Sequence, residues 1–367
     1  MNRLYAWKLM GSFILGCGLM HAQSITTFEA PGAGTAAGQG TLAEGITASG
    51  QAFGYYMDGS GVAHGFLRSA HGGFTTFDAP DAGAAMGQGT FAFSLNPAGV
   101  VVGYSIDPSG VMHGFERTAV GTFTIIDAPG AGTAPGQGTF GYNINAAGTV
   151  AGFFFDSAMV AHAYLLPPDD TFTIFDALGA GTSAGQGTGT ASVIGLNTAA
   201  TLTGPSIDSN NVLHGYVRMF DGTITSFDAP GAGTGPGQGT DPAGVNEQGT
   251  IPGFAFDANG AAHGFVRAAN GAFAVINISG AGSAAGQGTF VQGINPSGAV
   301  TGYDVDASGV AHGFARSATG GIVRFDAPGA GTGPGQGTFP LTNTPSGAIT
   351  GYLVDASGVA HGFVRGQ

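Results

Sequence analysis

Two residue types recur in this chain at a spacing suited to chemistry. Histidines stand at His64, His113, His162, His214, His263, His312 and His361. An aspartate precedes each by six residues: Asp58, Asp107, Asp156, Asp208, Asp257, Asp306 and Asp355. A further acid set runs Glu29, Asp78, Asp127, Asp176, Asp228 and Asp326, with Asn277 in one place. So many carboxylates and imidazoles suit a ring that binds cations or sugar hydroxyls. The same residues also suit the fold. Aspartate at the first position of a turn accepts backbone N–H bonds, and a histidine nearby can anchor neighbouring strands. A residue that every copy of a repeat carries reads first as fold chemistry.

Catalysis by a repeat protein calls for acids and bases that break the repetition. The candidates are Glu44, Asp241 and Glu247, the last two in or near the innermost strand of their copy. Other departures are Pro205 where the other copies carry an aromatic, and Asp169-Asp170 in place of a glycine turn. Asp304, Asp306 and Ser308 resemble the start of a calcium loop, but Ala315 stands where the closing acid belongs. Ca2+ there is the one cofactor the sequence suggests. The stretch Gly32 to Gly38 looks like a phosphate loop, yet no Gly-Lys-Ser/Thr follows it. There is no Cys/His metal cluster.

These residues are positioned by a repeat. Gly-Gln-Gly-Thr begins at Gly38, Gly87, Gly136, Gly185, Gly237, Gly286 and Gly335, spaced by 49 residues except for one step of 52. The extra residues fall within TGTASVIGL, before Asn197. In the sixth copy four strands are expected, FVQGIN, AVTGYDV, VAHGFAR and GIVRFDA. Gly-containing turns separate them, and a long Gly/Pro-rich connection leads onward. Four short strands in each of seven copies predict an all-β, seven-bladed β-propeller of four-stranded antiparallel blades. The last copy ends after its third strand, while residues 24–30 read as a fourth strand with nothing before it. The N-terminal strand is therefore expected to complete the last blade and close the ring. On this reading the turn from the second to the third strand, the connection from the fourth strand to the next copy, both acid sets and all seven long loops share one face.

Composition agrees. Glycine accounts for 71 of 367 residues and charged residues for 8%, which excludes a helical bundle. The chain is 43% apolar, which excludes a disordered tail. Residues 1–23 read as a secretory signal peptide: Arg3 and Lys8, then the apolar run from Leu9 to Met20. A lipoprotein signal acting at Cys17 is the rival reading. Residues 24–367 then form one domain of seven repeats with a net charge of −15 and no cysteine. The expected location is secreted, extracellular or periplasmic. The charge argues against a nucleic-acid partner, no transmembrane segment is expected in the mature chain, and a monomer is expected.

The sequence Gly293-Ile294-Asn295, then Gly302, then His312-Gly313-Phe314 resembles the HAF-type extracellular repeat family. The likeness extends over residues 24–367, although only His162-Ala163-Tyr164 carries alanine after the histidine. The resemblance implies a secreted, propeller-like repeat protein and carries over no catalytic residue. The function expected is non-enzymatic: multivalent recognition of extracellular glycan or a protein partner, or a surface-structural role. Near-identical units suit many weak contacts. The alternative is an extracellular hydrolase or lyase with its site on the top face near the channel.

Overall fold

The structure, a computed structural model, describes residues 24–189 and 195–366. The expected signal peptide and residues 190–194 of the insertion lie outside the described residues. Among those described, no helix is long and apolar enough to cross a membrane. Everything regular is β-structure. The chain enters through β1 (Ile25–Phe28). The first repeat then forms β2 (Gly40–Ile46), β3 (Ala52–Met57), β4 (Ala63–Arg68) and β5 (Phe74–Phe77), each antiparallel to the one before. The second repeat opens with β6 (Gly89–Leu95).

The expectation of seven separate four-stranded blades is corrected. Hydrogen bonding does not stop at the end of a repeat. β4 also bridges β6 in parallel, with Ala63 opposite Gly89, and the Ala63 amide donates to the Gln88 carbonyl at 2.9 Å. The same bridge joins every pair of successive repeats, from Gly138 opposite Met112 to Gly337 opposite Ala311. The result is one 29-stranded sheet closed on itself. In the fourth repeat the described first-strand residues are Gly187–Thr188 and Gly195–Leu196. The ends of the chain do meet: β1 pairs antiparallel with Ala360–Arg365, Ile25 lying opposite Arg365. That last strand also bridges β2 in parallel, Gly40 against Ala360.

The physical cause of the continuity is the second glycine of Gly-Gln-Gly. Gly288 has φ +117°, and a Cβ there would lie 2.1 Å from the Ala262 carbonyl oxygen. Only a residue without a side chain lets one repeat begin this close to the backbone of the one before. The long loop leading to it is held by its own glutamine. Gln287 Oε1 accepts from the Ala284 amide, and its Nε2 donates to the Ala307 carbonyl across the repeat. The threonine after the glycine, Thr289, accepts from the Ile278 amide.

The core lies between successive repeats. The third-strand aromatics Phe66, Phe115, Tyr164, Tyr216, Phe265, Phe314 and Phe363 are at most 1% exposed. Burying each contributes about 1.5–3 kcal/mol. Beside this layer, the repeat arginine stacks on a phenylalanine of the preceding repeat. Arg117 sits 4.7 Å from the Phe77 ring centre, and Arg365 sits 4.5 Å from that of Phe325. Where that aromatic is Ile126, the arginine is Leu166, and the two pack in one apolar cluster.

Two glycines of one loop give a graded test. Gly286 also has a positive φ, +76°, but faces open space. Gly286→Ala should cost about 1–2 kcal/mol, the usual penalty of the left-handed region. Gly288→Ala should cost distinctly more, because the backbone itself must move. Urea unfolding of both variants measures the difference, and equal losses would remove the close approach as the joining constraint.

Candidate functional site

Every repeat carries a station built around its histidine. The first-set aspartate ends the second strand and caps the turn after it. Asp58 Oδ1 accepts from the Ser60 and Val62 amides at 2.8 and 2.9 Å. Those amide bonds hold its carboxyl below the ordinary 3.8, with smaller help from His64. The other oxygen faces His64 Nε2 at 3.6 Å, and His64 Nδ1 meets Asp78 Oδ1 at 2.7 Å. The imidazole thus lies between two acids. The pattern repeats at His113, His162, His214 and His312. At His263 the outer partner is the Asn277 amide oxygen. At His361 it is Glu29, supplied by the other end of the chain.

The two acids of a station are not equivalent. The turn aspartates are tied down by amides. The outer carboxylates of Asp78, Asp127, Asp228 and Asp326 are 55–57% exposed. Burial works against charging His113, but the hydrogen bond and charge of Asp127, with Asp81 and Asp107, outweigh it and raise its pKa. Both the structural and the binding reading of these residues therefore have a place in one station. The inner acid and histidine serve the fold, and the outer carboxylate is oriented by the imidazole yet open to solvent.

A second feature lies on the axis. First strands of six repeats, and Ala243, Gly244 and Val245 just after the first strand of the fifth, line a cavity of ≈ 240 Å³. In five of them a β-bulge falls at the wall. β2 skips Glu44 between the pairs Ala43–Gly54 and Gly45–Phe53. Phe93, Tyr142, Gln292 and Leu341 are skipped in the same way. A bulge adds a residue and re-aims its side chain. Here all five bulge residues line the cavity, and no two are alike. One wall is aromatic, with Phe93 stacked on Tyr142 at 4.8 Å. Burial pushes the Glu44 carboxyl up to about 8. Burial first, and then the charge of Glu44, raises the pKa of Tyr104 to about 12.

The three catalytic candidates are not brought together. Glu44 reaches the axial cavity, where among the described lining residues it is joined by no histidine and no other acid. Asp241 is buried at 4% exposure, at the position where Phe290 and Phe339 stand in their repeats, and it does not line the cavity. Glu247 lies on an exposed turn and accepts from the Thr198 amide and hydroxyl, tying two repeats together. The calcium-type motif is also dispersed. The fully buried Asp304 carboxylate forms a bidentate pair with Arg324, at 2.9 and 2.7 Å. Asp306 caps its turn through the Ser308 and Val310 amides. No cluster of three or more potential metal ligands exists among the described residues. The sequence flagged Glu44 but not the bulge that directs it. The varied residue two places after each Gly-Thr-x was the available signal.

No protein-family model matches the chain, and no curated protein does. Among solved structures, it is similar to the BP39L lectin from Burkholderia pseudomallei, with a TM-score of 0.57 and 12% identity. That match covers 89% of this chain and 96% of the lectin. It is also similar to puromycin hydrolase, with a TM-score of 0.50 and 14% identity, over 90% of this chain. The chain spans about half of the hydrolase's length, 52%. At these identities the likeness is one of fold.

Glu44 makes stability fall with rising pH. Between 4.5 and about 8 the folded state holds its proton and the unfolded state does not. Stability should therefore drop by up to about 1.4 kcal/mol per pH unit in that window. Glu44→Gln should flatten this slope, as read from urea unfolding at pH 5 and pH 8. An unchanged slope would mean that Glu44 titrates normally.

Proposed function

We propose that this protein is exported and binds glycans multivalently without catalysis, through the outer carboxylates of its histidine stations. The observation that carries the reading is the station itself, present in all seven repeats, with one acid oriented and open to solvent in six of them and Asn277 in that place in the sixth. Such a carboxylate accepts hydrogen bonds from sugar hydroxyls, and Asn277 in the sixth station offers an amide for the same task. Beside the seventh station, Thr27, Pro328, Gly329, Leu353, Asp355 and His361 line a groove of ≈ 270 Å³. Seven weak sites on one ring gain strength when the glycan is itself repeated. The fold-level likeness to a lectin supports the binding part of the reading. The apolar run at Leu9–Met20 and the HAF-type repeat support export.

The hydrolase reading rests on Glu44, a carboxyl protonated at neutral pH as a general acid would be. Glycosidic hydrolysis ordinarily needs two carboxyl groups flanking the bond, and the cavity offers one. We therefore place this reading second.

A glycan array followed by calorimetry tests the proposal. Asp78→Ala alone should weaken binding a few-fold. Changing Asp78, Asp127 and Asp228 together should weaken it far beyond what losing three of the seven sites alone would, as avidity demands. Thermal melts check that each variant folds. An array without signal, or a triple variant that binds like the parent, would refute the reading. Turnover of a bound glycan that Glu44→Gln abolishes would favour the hydrolase.

A further inference from the structure

In a chain of near-identical repeats, the departures from the pattern point to what only one place does. Four of them meet in the cleft between the second and third repeats. Leu166 replaces the arginine that the other six repeats carry. Glu116 stands where the other third strands have leucine, valine or alanine: Leu67, Leu165, Val217, Val266, Ala315 and Val364. Asp170 replaces a turn glycine and holds φ at +60°. Pro167-Pro168 occurs in no other copy of that turn. All of these residues line one cleft.

The consequence is measurable against an equivalent groove. Between the sixth and seventh repeats the groove holds Arg316 and Arg365 and encloses ≈ 210 Å³. Between the second and third repeats it encloses ≈ 450 Å³. Its floor is apolar, formed by Ile126, Ile144, Leu166 and Phe172, and its acids are Glu116, Asp127 and Asp170, with no basic residue among the described lining. Burial, with Asp170 nearby, raises the pKa of Glu116, so a carboxylate is held where its charge needs a cation. Elsewhere the chain supplies such a cation itself, on an apolar stem packed between repeats.

We propose that this cleft receives an arginine side chain from an extended segment of another protein, its stem on Leu166 and Phe172 and its guanidinium between Glu116 and Asp170. Guanidinium suits the place better than a bare ammonium. It is weakly hydrated and pairs with carboxylates through a planar fork. A peptide suits it better than a free small cation, because the prolines and Ile126 extend the apolar wall beyond the acid pair. This inference is independent of the glycan reading.

The test uses the full chain and a fluorescent, end-blocked peptide with one central arginine between glycines and leucines. Anisotropy titration at low salt should give saturable binding. The same peptide with citrulline in place of arginine should bind roughly tenfold or more weakly, as expected for loss of a charged hydrogen-bonding partner. Leu166→Arg should abolish binding. Six repeats already carry arginine at this place, Arg316 among them with Ile276 in place of the phenylalanine, so the variant should fold. Glu116→Gln with Asp170→Asn should weaken binding roughly tenfold, while melting temperatures report folding. Equal affinity for the citrulline peptide, or undiminished binding by Leu166→Arg, overturns the proposal. Arginine amide binding as tightly as the peptide overturns the assignment to a peptide partner.

Discussion

The ring depends on how closely one repeat can begin beside the backbone of the last. That approach is set at the second glycine of Gly-Gln-Gly, where a Cβ would sit about 2 Å from a carbonyl oxygen of the preceding repeat. The bridge made there turns stacked hairpins into one closed sheet. It also explains why the residues around it recur. The glutamine props the loop that delivers the glycine, and the threonine after it caps the backbone eleven residues earlier. Glycine is abundant because many positions meet backbone or aromatic rings with no room for a side chain.

Given that constraint, repetition divides the molecule into two kinds of surface. On one face each repeat must end its strands and turn, and it does so with a histidine held between two acids, or in the sixth repeat between Asp257 and the Asn277 amide. The chemistry of the station follows from the fold's needs, and what is left over is an oriented, solvent-facing carboxylate. Along the axis the fold asks less. First strands need only bulge inward, and the bulge residues are free to differ, as Glu44, Phe93, Tyr142, Gln292 and Leu341 do. The axial cavity is therefore one-of-a-kind, whereas the stations are multiple.

The paired losses tell the same story from the other side. Arg117, Arg218, Arg267 and Arg365 each lie over an aromatic ring of the preceding repeat. In the third repeat both partners have become aliphatic, Leu166 with Ile126, so the core is kept while the charge is gone. A change that only preserved packing would have no reason to gather Glu116 and Asp170 at the same cleft.

The sequence alone determined the repeat, the strands of the sixth copy to within one or two residues, and the meeting of the chain ends, because each is written in local turn chemistry and in spacing. It also marked the histidines and both acid sets, since recurrence exposes them. Tertiary structure decided the rest. Whether the repeats stand as separate blades or share hydrogen bonds depends on a single bridge whose geometry no periodicity encodes. Which acids face one another is equally a matter of packing. Asp304 looked like a calcium ligand by its neighbours in sequence, but Arg324, twenty residues away, claims it. Glu44 looked like one acid among several until a bulge turned it into the axial cavity. Side-chain direction at a bulge and pairing across repeats are non-local, and so are settled only when the ring has closed.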